Sequence, residues 1–141
     1  MKEYETLHLV KSEDLNHHGT LFAARAADWL IEAGFTTAAC EHGNTDEVVL
    51  RSMSNLSFSK PVQKGSVMKL VSRVVYAGST SLTVSVLAKN AITGEIAVEA
   101  FITFVTIDAD TGKKRVHKIV LDETSDENEL YLRQKAQELR K

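Results

Sequence analysis

The chain has 141 residues, 43% hydrophobic and 26% charged, with 17 Lys and Arg against 19 Asp and Glu and a formal net charge of −2. This is the composition of one globular domain with a sizeable core, and it excludes long-range electrostatic attraction to nucleic acid. The single cysteine excludes an internal disulfide, charges interrupt every apolar run long enough to span a membrane, and the opening Met1-Lys2-Glu3-Tyr4-Glu5 is unlike a leader, so a cytoplasmic protein with neither nucleic acid nor membrane as partner is expected.

Tyr4 to Val10 reads as a first strand. Then comes Asn16-His17-His18-Gly19-Thr20-Leu21-Phe22, a polar, glycine-containing turn that runs without a break into Ala23 to Cys40. That second stretch has alanine at many positions, and Leu21, Phe22, Trp29, Leu30, Ile31 and Phe35 spread round most of its circumference. The pattern predicts a helix enclosed by the rest of the fold, with Thr20 or Asn16 as its cap and Cys40 in the core. Arg25, Asp28 and Glu32 follow one another at i,i+3 and i,i+4, on one stripe of this helix. They are either a solvated salt-bridge stripe or a functional group.

From Val48 onward the period changes to two. Glu47 to Lys60 forms one strand, ended by Pro61 and Gly65. Met68, Leu70, Val74 and Tyr76 alternate with Lys69 and Arg73. Leu82, Val84, Val86 and Ala88 alternate with Ser and Thr. Ile96, Val98, Ala100, Ile102 and Phe104 form one face of a further strand. Turns fall at Ala77-Gly78-Ser79, at Thr93-Gly94-Glu95 and around Asp110-Thr111-Gly112. Lys113-Lys114-Arg115 and Lys118 surround an expected last strand. Thr124-Ser125-Asp126-Glu127 has the form of a capping box, and Leu132, Ala136 and Leu139 then recur at helical spacing. The order is strand, long helix, then at least four strands, mostly antiparallel. That predicts an α+β domain in which one sheet wraps one helix, with residues 1–122 as the main body and 123–141 as an amphipathic helix of the same domain.

The Asn16-to-Phe22 turn followed by a helix with an acid near its middle resembles the acyl-CoA thioesterases of the hot-dog fold. Their pattern is Asn-x-x-Gly-x-x-Phe-Gly-Gly, then an acid about two turns into the helix. Asn55-Leu56-Ser57-Phe58-Ser59-Lys60-Pro61-Val62 resembles that family's second strand and its proline-marked exit. Lys64-Gly65-Ser66 and Gly78-Ser79-Thr80-Ser81-Leu82 resemble two of its turns, and Thr103-Phe104-Val105 its closing strand. The similarity runs over roughly residues 4 to 121. Three departures stand out. Ala23-Ala24 replaces the Gly-Gly pair, Ile31 occupies the usual acid position with Glu32 next to it, and Ser79 stands where a basic residue is usual.

The resemblance implies hydrolysis of an acyl-CoA to a carboxylic acid and free coenzyme A, with no metal or organic cofactor beyond the coenzyme A of the substrate. A carboxylate serves as general base or nucleophile, with Glu32 the first candidate and Asp28 the second. Desolvation on an apolar helix raises such a carboxyl towards the useful range, and Arg25 opposes this. Asn16 positions water or the thioester, and backbone N–H groups from Gly19 to Ala23 at the helix start bind the oxyanion. His18, Gly19, Thr20, Phe22, Ala23, Ser57, Lys60, Ser79 and Thr80 are the expected substrate contacts. The lysines and arginines at 113–118, with Lys60, Lys64 and Arg73, are candidates for the phosphates, or else solvated positions that protect a strand edge.

His17-His18 is a poor pair of metal ligands, and nothing else lies at a suitable spacing. Asn55-Leu56-Ser57 matches a glycosylation sequon without any sign of secretion. The sheet carries more apolar residues than one helix can cover, which predicts self-association. The resemblance adds that the assembly is a dimer, tetramer or hexamer with sites between subunits, so that Asn16 and Glu32 of one site come from different chains. Two other readings remain. One is a non-catalytic acyl-CoA-binding hot-dog protein, favoured by Ile31. The other is a hot-dog hydratase or dehydratase, for which His18 is the only histidine in place.

Overall fold

The computed structural model describes residues 1–140. Five strands, β1 (Tyr4–Leu9), β2 (Val48–Phe58), β3 (Val67–Ala77), β4 (Ser81–Asn90) and β5 (Ile96–Thr106), form one antiparallel sheet in the order β1-β3-β4-β5-β2. Helix α1 (Ala23–His42) lies across one face and α2 (Glu127–Glu138) against β3 and β4 on the other. The α+β sheet-round-a-helix architecture is therefore the one the sequence predicts.

Period two explains the face assignment. Val84, Val86, Ile102 and Phe104 are fully buried beneath α1. α1 meets them through Ala26, Leu30, Ala33, Gly34 and Ala38. A Cβ at Gly34 would stand 3.3 Å from both Ile102 Cδ1 and Val86 Cγ2, so glycine sets how closely helix and sheet approach. Between them sits a buried polar contact, Thr37 Oγ1 to Ser72 Oγ at 2.5 Å, with Ser72 Oγ also 3.5 Å from Ala33 O. The opposite sheet face is rich in hydroxyls, including the Thr83–Thr103 pair at 2.9 Å. α2 is tied to it through buried Glu129, which accepts from Arg73 at 3.0 Å, from Arg133 at 2.5 Å and from the Met1 ammonium at 2.9 Å. Burial pushes the Glu129 carboxyl up, but the hydrogen bonds from Met1 and Arg133 and the charges of Arg133 and Arg73 outweigh it, so the net shift is downward.

Several expectations are corrected. α1 is not enclosed all round, because Arg25, Asp28, Glu32, Thr36 and Cys40 form an exposed outer stripe. Leu21 and Phe22 precede the helix, and Phe22 occupies its N-cap with no side-chain cap; neither Thr20 nor Asn16 serves. No last strand forms around Lys113–Lys118. A single bridge, Ile107 to Lys114, stands in its place; Val116 and Val120 are exposed, and only Ile119 and Leu121, beyond the lysines, pack against the core. The α2 cap is Asp126, accepting from Glu129 N at 2.8 Å, two residues after the Thr124 of the expected capping box.

Candidate active site

The Asn16 turn is built by its own hydrogen bonds. Asn16 N donates to Thr20 O at 2.8 Å, Gly19 N to Asn16 O at 3.0 Å, and Gly19 adopts φ +81°, where a side chain would be strained. Asn16 Oδ1 accepts from His18 N at 2.9 Å and Thr20 N at 3.2 Å. The oxygen is thus committed to the turn, while Nδ2 donates one hydrogen to Thr20 Oγ1 at 3.2 Å and keeps its second. Asn16 can therefore donate a hydrogen bond to a carbonyl or a water, but it cannot take a proton.

The amides past Asn16 divide into two groups. Gly19, Thr20, Leu21 and Phe22 all donate within the protein, Leu21 to Val62 O and Phe22 to Asp14 O at 2.8 Å each. This corrects the expected oxyanion stretch of Gly19 to Ala23: four of its five N–H groups are taken. The amides of Ala23, Ala24 and Arg25, in the first turn of α1, have no acceptor among the described residues. Small side chains at 23 and 24 leave them approachable. They open beside a 280 Å³ cleft lined by Asn16, Leu21, Ala23, Phe58, Lys60 and Val62, among others.

Asp14 is the residue that sequence reasoning missed. It is buried, its carboxylate accepts from Lys11 N at 2.9 Å, and Arg25 Nη1 stands 3.5 Å from its other oxygen. Its only sequence signal is the Ser12-Glu13-Asp14 turn just before Asn16. Arg25 is thereby drawn away from its own stripe, and Asp28 and Glu32 have no hydrogen-bond or ion-pair partner among the described residues. The salt-bridge stripe is not formed. Both carboxylates stand solvated on the outer face of α1, without the desolvation expected on an enclosed helix.

One protomer assembles Asn16, Ala23 and Lys60 around the cleft, while Gly19 and Thr20 lie in the adjoining turn outside its lining, with His18 and Phe22 exposed on the same turn. Lys60 is paired with Glu95 at 3.1 Å. The His17 and His18 rings lie 3.9 Å apart. The protomer does not bring the other candidates there. Ser57 follows a register shift in β2 and lines a separate 380 Å³ cleft under α2, with Asn55, Phe101 and Tyr131. Ser79 and Thr80 form the β3–β4 turn at the far end of the sheet, a strand length of about 30 Å away. Glu32 lies nine residues beyond Ala23, about 14 Å along the helix. Among the described residues no three His, Cys, Asp or Glu side chains group to hold a metal ion, and no helix is long and apolar enough to cross a membrane.

Residues 18–97 match the model of the thioesterase superfamily. The chain is 32% identical over 120 residues to an uncharacterized acyl-CoA thioester hydrolase of Bacillus subtilis, covering 81% of this chain and 67% of that one. Among solved structures, an acyl-CoA hydrolase from Staphylococcus aureus, in complex with butyryl coenzyme A and coenzyme A, superposes with a TM-score of 0.84 at 28% identity, covering 96% of this chain and 80% of that one. A hexameric thioesterase from Yersinia pestis does so with a TM-score of 0.73 at 25% identity, covering 82% and 94%. With the family model matching more than half its length and the sheet wrapped round α1 as in these enzymes, the chain belongs to the thioesterase superfamily and has the hot-dog fold.

Proposed function

We propose that the protein hydrolyses an acyl-CoA thioester to a carboxylic acid and free coenzyme A, at a site shared between two subunits. The observation that carries this reading is the entrance of α1. Three unengaged amides and the Asn16 Nδ2 donor sit at one mouth, beside the apolar wall of Leu21, Phe58 and Val62. A thioester carbonyl placed there gains donors at the oxygen where negative charge develops. The acyl chain has an apolar cleft to enter, and the relatives' acyl-CoA complexes and names indicate the substrate class.

The base is Glu32, with Asp28 as the alternative. Being unpaired, either is free to face a partner subunit and is desolvated only by assembly. Glu32 stands about 14 Å along α1 from the amides at its start, so the acid that completes this site comes from the neighbour. β2 offers the contact. It is an edge strand with Val49, Leu50, Leu56 and Phe58 exposed, an apolar edge that a lone protomer leaves uncovered. Antiparallel pairing of two β2 edges lays the Val48 end of one against the Phe58 end of the other. It also carries the partner's Ser79–Thr80 turn towards the Lys60 cleft, where the phosphates of coenzyme A are bound. No metal or organic cofactor takes part. Higher assembly, as in the hexameric relative, builds on this dimer.

Release of free thiol from acyl-CoAs of two to sixteen carbons tests the reading. Wild type turns over, and alanine at the true acid lowers kcat by about 10²–10³-fold while alanine at the other changes it little. The second reading, acyl-CoA binding without turnover, is favoured by Ile31 at the family's usual acid position. Folded oligomeric protein that binds acyl-CoA but releases no thiol establishes it.

A further inference from the structure

The segment after β5 returns along the sheet end and makes its most specific contacts with the β3–β4 turn. His117 is buried in that strap. Its backbone N–H donates to Ser79 O at 3.2 Å, and its Nε2 donates to Ser81 O at 2.9 Å, because a carbonyl can only accept. Nδ1 is therefore the unprotonated nitrogen, and it accepts from Ile119 N at 2.9 Å. Both ring nitrogens of this imidazole are used, and the residue's two donors, its backbone N–H and Nε2–H, go to carbonyls of one turn. Thr106 N donates to the remaining carbonyl, Thr80 O, at 2.9 Å, and Thr106 Oγ1 donates to Arg115 O, tying the strap down upstream.

The consequence follows from peptide geometry. In a trans peptide the N–H points opposite to the preceding C=O. With Ser79 C=O drawn in towards His117, the Thr80 N–H is turned outward. Neither it nor the Ser79 N–H has an acceptor among the described residues. Gly78 allows the tight bend, since a Cβ there would fall 2.6 Å from Ser81 Oγ. Lys118, next to His117, is held at φ +64°, a conformation costly for a lysine and fixed by the bonds of His117 and Ile119 on either side. The strap thus holds the turn with its Thr80 amide facing outward, and Lys113, Lys114 and Lys118 are exposed along the strap itself. Such a grouping suits a phosphate and makes up for the basic side chain that Ser79 lacks.

We infer that His117 is a positioning residue for coenzyme A: by pinning the Ser79 and Ser81 carbonyls it fixes the Gly78–Ser81 turn in the form whose free amides hold the nucleotide phosphates. This rests on the acyl-CoA reading above. The test is binding, which does not depend on turnover. Dissociation constants for coenzyme A and for pantetheine, the same thiol arm without the nucleotide, are measured on wild type, His117→Ala and His117→Gln. His117→Ala is expected to weaken coenzyme A roughly tenfold and pantetheine less than twofold. His117→Gln, which keeps an N–H for Ser81, restores most of the affinity. Equal weakening of both ligands, no weakening of either, failure of the glutamine variant to rescue, or wild type that binds coenzyme A no better than pantetheine overturns the inference. Thiol release by wild type judges the hydrolase reading separately, because binding can follow the expected pattern with or without it.

Discussion

Asn16 shows how far single residues carry the account. Its type and its spacing to Gly19 are readable in the sequence. What it can do chemically is settled only by the turn that consumes its oxygen and leaves the amide to donate. Asn16→Ala accordingly removes a donor and loosens the turn, while Asn16→Asp substitutes an acceptor; both are expected to lower kcat/KM by at least tenfold in a thiol-release assay. The expected oxyanion donors at Gly19 to Phe22 failed for a reason no pattern encodes: their partners are Asp14, Asn16 and Val62, found only on folding. Cys40 failed differently. Its neighbours Ala38 and Ala39 are buried, and helical rotation alone carries it to the surface. The buried Thr37–Ser72 pair gives a cleaner residue-scale test. Ser72→Ala leaves the threonine hydroxyl stranded, at about 1–3 kcal/mol, whereas Thr37→Val with Ser72→Ala recovers most of that in a denaturant double-mutant cycle.

At the scale of elements, strands announced themselves by alternation because each has one face under α1. The segment at 113–118 has a single apolar residue, Val116, which is exposed, so it runs as a strap instead. α2 was legible as a helix from its spacing; its docking partner was not, since Arg73 and Glu129 lie far apart in sequence. That docking predicts a specific pH response. Because Glu129 is lowered in the folded state, its contribution is present above the ordinary glutamate value of about 4.3 and is lost as pH falls through the folded value. Glu129→Ala is expected to cost about 1–3 kcal/mol at neutral pH, leaving Arg73 to Glu3 and Arg133 to Asp122 alone, and the gap from wild type should close in acid. Thermal unfolding of both proteins from pH 7 downward reads this directly; a gap that stays constant contradicts it.

The whole molecule explains what a single protomer leaves unfinished. Among the described residues, the cleft at the start of α1 is lined by donors but by no carboxylate or histidine, and Asp28 and Glu32 have no partners. Ser79 and Thr80 lie at the wrong end of the sheet, and β2 ends the sheet with apolar side chains uncovered. In the proposed dimer, one two-fold operation through β2 answers all four. On that proposal the distances that matter run between chains, so the sequence could suggest site residues while no spacing could say which of them meet. The most direct measurement is thiol release from mixed oligomers of two inactive variants, Asn16→Ala and Glu32→Ala, denatured together and refolded. A shared site predicts that mixing restores activity to roughly a quarter of wild type, since half the dimers are mixed and each carries one intact site. Mixed protein that forms oligomers and stays as inactive as its parents would show that each site is built within one chain, and the account of a shared site would fall.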